Sequence, residues 1–269
     1  MRHVSLRFIK DPLLRRLIPG TGSAVQARNE LRWIKQEVSP EHLTRVVTQR
    51  SHGIPLQYIL GSQPFGALEI KCRPGVLIPR WETEEWVTEL AERAEGYLGS
   101  GALRVLDIGT GTGCILFLLC SLLPKASGTA MDVSPAVIDL FNENRASLDM
   151  ATRTQIVRHD LHTPFSRAPE VDLVVSNPPY ITKLADADAQ VRKHEPVLAL
   201  LEQPDIYEHL VKRVFETSAR MAVFEVGNEQ QIELCVRLFS EHGWNAWGQR
   251  DSAGNWRTVW ATKSANSVD

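Results

Sequence analysis

A chain of 269 residues with 43% apolar and 23% charged side chains has the material for one large domain and a smaller appendage. No run of about 18 apolar residues occurs, which excludes a membrane-spanning helix; the longest apolar stretch, Cys114 to Leu123, suits only a buried helix. The four cysteines, Cys72, Cys114, Cys120 and Cys235, show neither C-x-x-C pairing nor a disulfide framework, and read as buried thiols of a reducing compartment. Charge is unevenly placed: residues 1–80 carry 13 Lys+Arg against 5 Asp+Glu, whereas residues 81–269 carry 17 against 27. This asymmetry marks two functional parts. The basic part could meet nucleic acid or an RNA-bound partner, but a solvated helix face or a targeting signal would have the same composition.

In chain order, Met1 to Ile18 is Arg-rich with a single acid, Asp11, and its apolar residues are interleaved with the basic ones, as in organellar presequences. Pro19, Gly20 and Gly22 then interrupt it. The spacing Ala27, Leu31, Ile34, Val38 predicts an amphipathic helix from Ala24, and Ser39-Pro40 opens a second one carrying Leu43, Val46 and Val47. Between Pro64 and Pro79, alternation around Arg73-Pro74-Gly75 predicts two short strands joined by a turn there. An acidic helix follows over Glu82 to Leu98. Strands are then expected at Leu103–Ile108, Thr129–Val133, Thr154–Arg158, Val171–Ser176 and Ala222–Val226, with helices at Cys114–Leu123, Pro135–Ser147 and Glu229–His242. Such alternation predicts an α/β fold with a parallel sheet, closed by an antiparallel hairpin of Trp244–Arg250 and Trp256–Thr262.

Two motifs carry chemistry. Leu106-Asp107-Ile108-Gly109-Thr110-Gly111-Thr112-Gly113 falls where a strand gives way to a helix, and there glycines permit a tight turn and close approach of a ligand. Its G-x-G-x-G spacing, with Cys114 where the third glycine of a dinucleotide loop belongs, favours a nucleoside with an amino-acid tail over a pyrophosphate. Asp132, ending the next strand, is placed to accept from two ribose hydroxyls. Ser176-Asn177-Pro178-Pro179-Tyr180 is sharper. Consecutive prolines hold the residues before them extended with free carbonyls, so the Asn177 side-chain oxygen and the Pro178 carbonyl can each take one hydrogen of a planar NH2 group, with Tyr180 stacked beside it. The simpler reading of each motif is a structural turn. The eight histidines have no ligand spacing and no nucleophile–base pair is evident, so no metal is expected.

From about Ala27 to the C-terminus the sequence resembles the HemK/PrmC glutamine N5-methyltransferases. Carrying the likeness are Gly53 to Gly61 (GIPLQYILG), Val76 to Glu84 (VLIPRWETE), the Asp107 to Gly113 loop, Asn177 to Tyr180, Glu195-Pro196 with Ala199-Leu200, Phe224 to Gln230 (FEVGNEQ), and Asp251 to Gly254 before Arg257. Two departures stand out: Trp81 replaces a common proline, and Leu201 to Ile206 lacks the usual glycines, which puts the geometry of that loop in question. The resemblance implies a seven-stranded Rossmann-like class I methyltransferase sheet. It further implies that Gly109, Thr110, Gly111, Thr112, Gly113, Asp132, Leu161 and Asn177 contact S-adenosyl-L-methionine, with Asp160 near the adenine amine, that Asn177, Pro178, Pro179 and Tyr180 bind an acceptor glutamine in the Gly-Gly-Gln motif of a peptide chain release factor, and that Asn177, Pro178 and Tyr180 are the catalytic residues. The expected division is a targeting segment at 1–20, a helical docking domain at 21–62, a hairpin linker at 63–80 and a methyltransferase domain at 81–269. A monomer of the mitochondrial matrix, or of the cytoplasm if bacterial, with no membrane and no direct nucleic-acid contact, completes the expectation. A nucleic-acid amino-methyltransferase could use the same acceptor motif on a flipped base, but the acidic catalytic part and the lack of a large basic recognition region argue against it. A non-catalytic scaffold would be expected to show decay in one motif, and both are intact.

Overall fold

The computed structural model describes residues 9–263. Four helices come first: α1 (Pro12–Thr21), α2 (Ala24–Glu37), α3 (Leu43–Ser51) and α4 (Leu56–Leu60). Their ends follow capping chemistry: the Asp11 carboxylate accepts from the N–H groups of Leu13 and Leu14, and the Ser23 hydroxyl from that of Gln26. Leu14, Leu17, Ala27, Leu31, Ile34, Val46, Val47 and Leu56 share one apolar core. Inside it, Arg50 and Glu30 form a two-pronged ion pair, at 2.6 and 3.0 Å, with both side chains under 8% exposed.

The boundary expected between residues 20 and 21 falls inside α1, because Leu17 is fully buried and Gly20 presses so closely on Arg50 and Ser51 that a Cβ there would lie 2.0 Å from the Arg50 carbonyl oxygen. An amphipathic Arg-rich helix has the same composition whether it is a presequence or a packed element; here its apolar face is packed. Met1 to Phe8, the start of the expected targeting segment, lie outside the described residues.

The hairpin differs from expectation in a second way. Strands β1 (Ser62–Phe65) and β2 (Leu68–Lys71) pair antiparallel around Gly66 and Ala67, and Arg73-Pro74-Gly75 follows the pair instead of joining it. Gly66 takes the left-handed conformation and lies against Leu118, leaving no room for a side chain. Phe65 and Ile70 are part of the core of the large domain. The fully buried Asn144 secures the arrangement: its Oδ1 accepts from Lys71 N–H at 2.7 Å, while its Nδ2 donates to the carbonyls of Lys71 at 3.2 Å and Thr112 at 3.0 Å. The segment expected to be a linker is therefore packed against the large domain.

Helix α5 (Trp81–Leu98) leads into β3 (Leu103–Ile108), α6 (Cys114–Leu122), β4 (Ala126–Asp132), α7 (Pro135–Ser147), β5 (Thr154–Arg158) and β6 (Leu173–Ser176). Helices α8 (Ala189–His194), α9 (Val197–Leu200) and α10 (Ile206–Phe215) precede β7 (Met221–Glu225), α11 (Glu229–Glu241), β8 (Trp244–Arg250) and β9 (Trp256–Lys263). The strand order is β5-β4-β3-β6-β7-β9-β8, parallel from β5 to β7 and antiparallel at β9 and β8. Alternate residues of each strand bury opposite faces. Val105, Val175 and Val223 meet α5 and α6, whereas Leu106, Val174 and Phe224 meet α10 and α11. The four cysteines are buried and unpaired, and no helix among the described residues is long and apolar enough to cross a membrane.

Because Phe65 is 1% exposed within that core, Phe65→Ala should destabilise the protein by about 3–5 kcal/mol in a denaturant melt. A change below about 1 kcal/mol would mean that the hairpin is a dispensable linker.

Candidate active site

Chain direction leaves β3 for β4 on one side and later returns to β6 on the other, so a crevice opens at the C-terminal ends of β3 and β6. Gly109 and Thr110 donate their N–H groups to the Met131 carbonyl, which folds the turn back over β4. Gly113 then opens α6 at φ 86°; a Cβ there would come within 2.7 Å of both Phe117 and Phe141. Gly109 and Gly111 line the crevice instead, both at positive φ, and a Cβ on either would meet no protein atom within 4 Å and stand in open space. The turn thus presents bare backbone to a ligand.

Asp132 ends β4 in the same crevice. Its Oδ1 accepts from Ser134 N–H at 2.9 Å and its Oδ2 from Gly111 N–H at 3.3 Å, which leaves lone pairs on both oxygens for hydroxyl donors. Burial raises its pKa, with the N–H groups of Ser134, Gly111 and Val133 opposing that shift. Below it, the fully buried Asp107 is pushed up to about 7, first by burial, against the pull of the Thr110 hydroxyl that donates to it at 2.6 Å. Its other oxygen has no hydrogen-bond partner. A fully buried carboxylate, Asp107, and a partly buried one, Asp132, around a glycine turn make this end of the crevice attractive to a cation. Asp160 and Leu161 line the same crevice, with the Asp160 carboxylate exposed and accepting from the backbone N–H of His162. That N–H, foremost of the favourable contacts, holds its pKa below the usual range.

Asn177 follows β6. Its Nδ2 donates to the Thr83 hydroxyl oxygen at 3.1 Å, so Oδ1 is the end left to meet a ligand. Pro178 and Pro179 continue the wall of the crevice, and Tyr180 lines a smaller adjoining cavity with Leu77, Val191 and Leu200. Burial raises the Tyr180 phenol well above its ordinary pKa, so it is a neutral aromatic wall. The ring lies on Gly227, where a Cβ would be 2.7 Å from Cδ2, and Gln231 Nε2 donates to the Tyr180 carbonyl at 3.0 Å. The two cavities meet at Leu77, Arg80, Asn177 and Ala199.

Long-range contacts hold this wall. The carboxylate of Glu195 accepts from Arg80 at 2.6 Å and from Ile78 N–H at 3.1 Å. Gln190 on α8 donates to the Gly20 carbonyl at 2.7 Å and accepts from Arg50 at 2.9 Å, tying the wall to the helical layer. Ile181 and Leu201 form a bridge across the loop's base. At Asp205 the chain takes φ 58°, the left-handed conformation that a glycine would supply, so the missing glycines do not open the loop. Glu195 and Arg80 lie in segments that carry the likeness, but they are 115 positions apart and no local signal pointed to their pairing or to Gln190.

Residues 92–194 match the Methyltransferase small domain family. Over 94% of its length the chain is 35% identical to the mitochondrial MRF1 N(5)-glutamine methyltransferase MTQ1 of Saccharomyces cerevisiae, covering 85% of that protein. It is 32% identical to the probable MRF1 mitochondrial N(5)-glutamine methyltransferase of Schizosaccharomyces pombe, over 95% of this chain and 94% of that one. Among solved structures, the hMettl16 catalytic domain in complex with an RNA hairpin superposes with a TM-score of 0.57 over 83% of this chain and 84% of that one; at 18% identity the likeness is one of fold. The chain belongs to the N5-glutamine methyltransferase family and is an S-adenosylmethionine-dependent enzyme.

Proposed function

We propose that the chain methylates N5 of the glutamine in the Gly-Gly-Gln motif of a peptide chain release factor. The observation that carries this reading is the place of Asn177, at the junction of a crevice floored by the glycine turn and Asp132 and a smaller cavity walled by Tyr180. One side suits a cationic nucleoside, the other a flat, neutral side chain.

S-adenosylmethionine, when bound, supplies an electrophilic methyl group on a sulfonium. The residues present fit it. Bare backbone at Gly109 and Gly111 admits close approach, Asp132 has acceptor capacity for two ribose hydroxyls, and the carboxylates of Asp132 and Asp107 favour a positively charged ligand. Thr110, Thr112 and Gly113 complete the turn, and Asp160 and Leu161 flank the expected adenine.

An amide nitrogen is a poor nucleophile because its lone pair is shared with the carbonyl. Asn177 Oδ1 and the Pro178 carbonyl each accept one hydrogen of the glutamine NH2, which turns the nitrogen toward the methyl donor and stabilises the positive charge that develops on it. Tyr180 and Pro179 hold the amide plane. One of the two hydrogens leaves to solvent water as a proton after transfer, carrying off the positive charge brought by the methyl donor, and the other stays on the N-methyl amide.

The basic helical layer is the surface proposed to dock the release factor, with the enzyme acting as a monomer. The mitochondrial relatives support a matrix location for this chain. Incubation with labelled cofactor and a release factor, followed by peptide mass spectrometry, should place the label on the Gly-Gly-Gln glutamine. Label on RNA amino groups, with none on the factor, would overturn the reading.

Asp132→Ala should weaken cofactor binding in calorimetry by about 2–3 kcal/mol through loss of two charge-assisted hydrogen bonds. For Asn177→Ala, cofactor affinity should stay within a few-fold of wild type, while the single-turnover methylation rate falls by about 100-fold or more. An unaltered rate would show that the motif is only a rigid strand end.

A further inference from the structure

An asparagine side chain offers an oxygen at one end and an NH2 at the other, and the two ends have nearly the same shape. Only one orientation of Asn177 gives an acceptor to the glutamine amide. The opposite one would set NH2 against NH2. Something must therefore choose between them.

The choice is made by groups behind the site. Thr83, 2% exposed in the first turn of α5, donates its hydroxyl hydrogen to Glu225 Oε2 at 2.6 Å. The same Oε2 accepts from the Trp86 indole N–H at 2.8 Å, and an indole can only donate, which marks Oε2 as an acceptor. Glu225 closes β7 with no solvent exposure; its Oε1 has no hydrogen-bond partner and lies 3.8 Å from Arg257, which Asp251 holds at 3.0 and 3.1 Å. Since the single hydroxyl hydrogen of Thr83 is committed to Glu225, only lone pairs remain for Asn177, and Nδ2 must be the end that points at Thr83. Turning Asn177 over would oppose two acceptors in a buried place.

We propose that Glu225 and Thr83 act as positioning residues that set the orientation of the Asn177 amide and so present Oδ1 to the acceptor. This rests on the glutamine-methylation reading above. It also gives a task to Glu225 and to the Asp251 to Arg257 segment, since Arg257 lies 3.8 Å from Glu225 Oε1 and is itself held by Asp251.

Thr83→Val keeps the shape but removes the hydroxyl, and Thr83→Ser keeps the hydroxyl. In full-length protein with labelled cofactor and a Gly-Gly-Gln release factor, Thr83→Val should slow single-turnover methylation by roughly tenfold at saturating substrate, with cofactor affinity unchanged; the melting midpoint should fall by a few degrees, because buried Glu225 loses a donor, while the protein stays folded at the assay temperature. Thr83→Ser should restore the rate to within about threefold. In an Asn177→Ala background, Thr83→Val should have no further effect, because its action passes through Asn177. A wild-type rate for Thr83→Val, or its full loss added on top of Asn177→Ala, would overturn the proposal. A second readout needs no release factor: the side-chain NH2 resonances of Asn177, assigned by their loss in Asn177→Ala, should shift and exchange faster in Thr83→Val but not in Thr83→Ser. Unchanged resonances in Thr83→Val would overturn the relay directly. A relay visible in these resonances, in a protein that methylates no release factor, would instead overturn the substrate reading alone.

Discussion

Burial of a parallel sheet on both faces leaves its strand ends as the places where polar groups can meet a ligand, and this constraint arranges the whole site. The site is set out from strand ends: Gly109 follows β3, Asp132 ends β4, Asn177 follows β6 and Glu225 ends β7, with the other site residues on the turns that these ends begin. Because neighbouring strands in a parallel sheet lie roughly 5 Å apart, four such ends span one small ligand and its acceptor. The helices on either face contribute groups only where their N-terminal turns reach the same edge, as α5 does with Thr83.

How much of this was legible in the sequence depended on whether the signal was local. The strands β3 and β5, the glycine turn and the Asn-Pro-Pro-Tyr corner are marked by residues adjacent in the chain, and the antiparallel end of the sheet followed from Asp251 to Asn255 between two strand patterns. The hairpin turn differs from expectation because Arg73-Pro74-Gly75 is a stronger local turn signal than Gly66-Ala67, where the chain turns and packs on Leu118. Helix α10 also carries a local mark, Ile206, Leu210 and Val214 at helical spacing. The Thr83–Glu225 contact spans 142 positions, and nothing near either residue announces the other.

Charge separation between the two parts has a structural counterpart. The helical layer keeps its basic residues outside but for Arg50, which is buried and matched by Glu30. A buried ion pair adds little net stability, since desolvation offsets most of the attraction. Its geometry is nonetheless directional, and the guanidinium nitrogen left over, Nη1, reaches out of the layer to Ile54 and Gln190. The pair is thus also an anchor point between the helical layer and the catalytic domain.

That anchor bears on the thermodynamics of catalysis. The wall formed by residues 181–205 is fastened by Gln190 to the helical layer, by Glu195 to Arg80 and Ile78, and by the Ile181–Leu201 bridge at its base. A segment of this length left free would have to be ordered each time an acceptor arrived, at about 1 kcal/mol or more for each residue fixed. Here that conformational entropy is given up once, during folding, and the affinity of the acceptor is not reduced by it. The small helices at the N-terminus are consequently part of the preorganisation of an active site to which they contribute no reacting group.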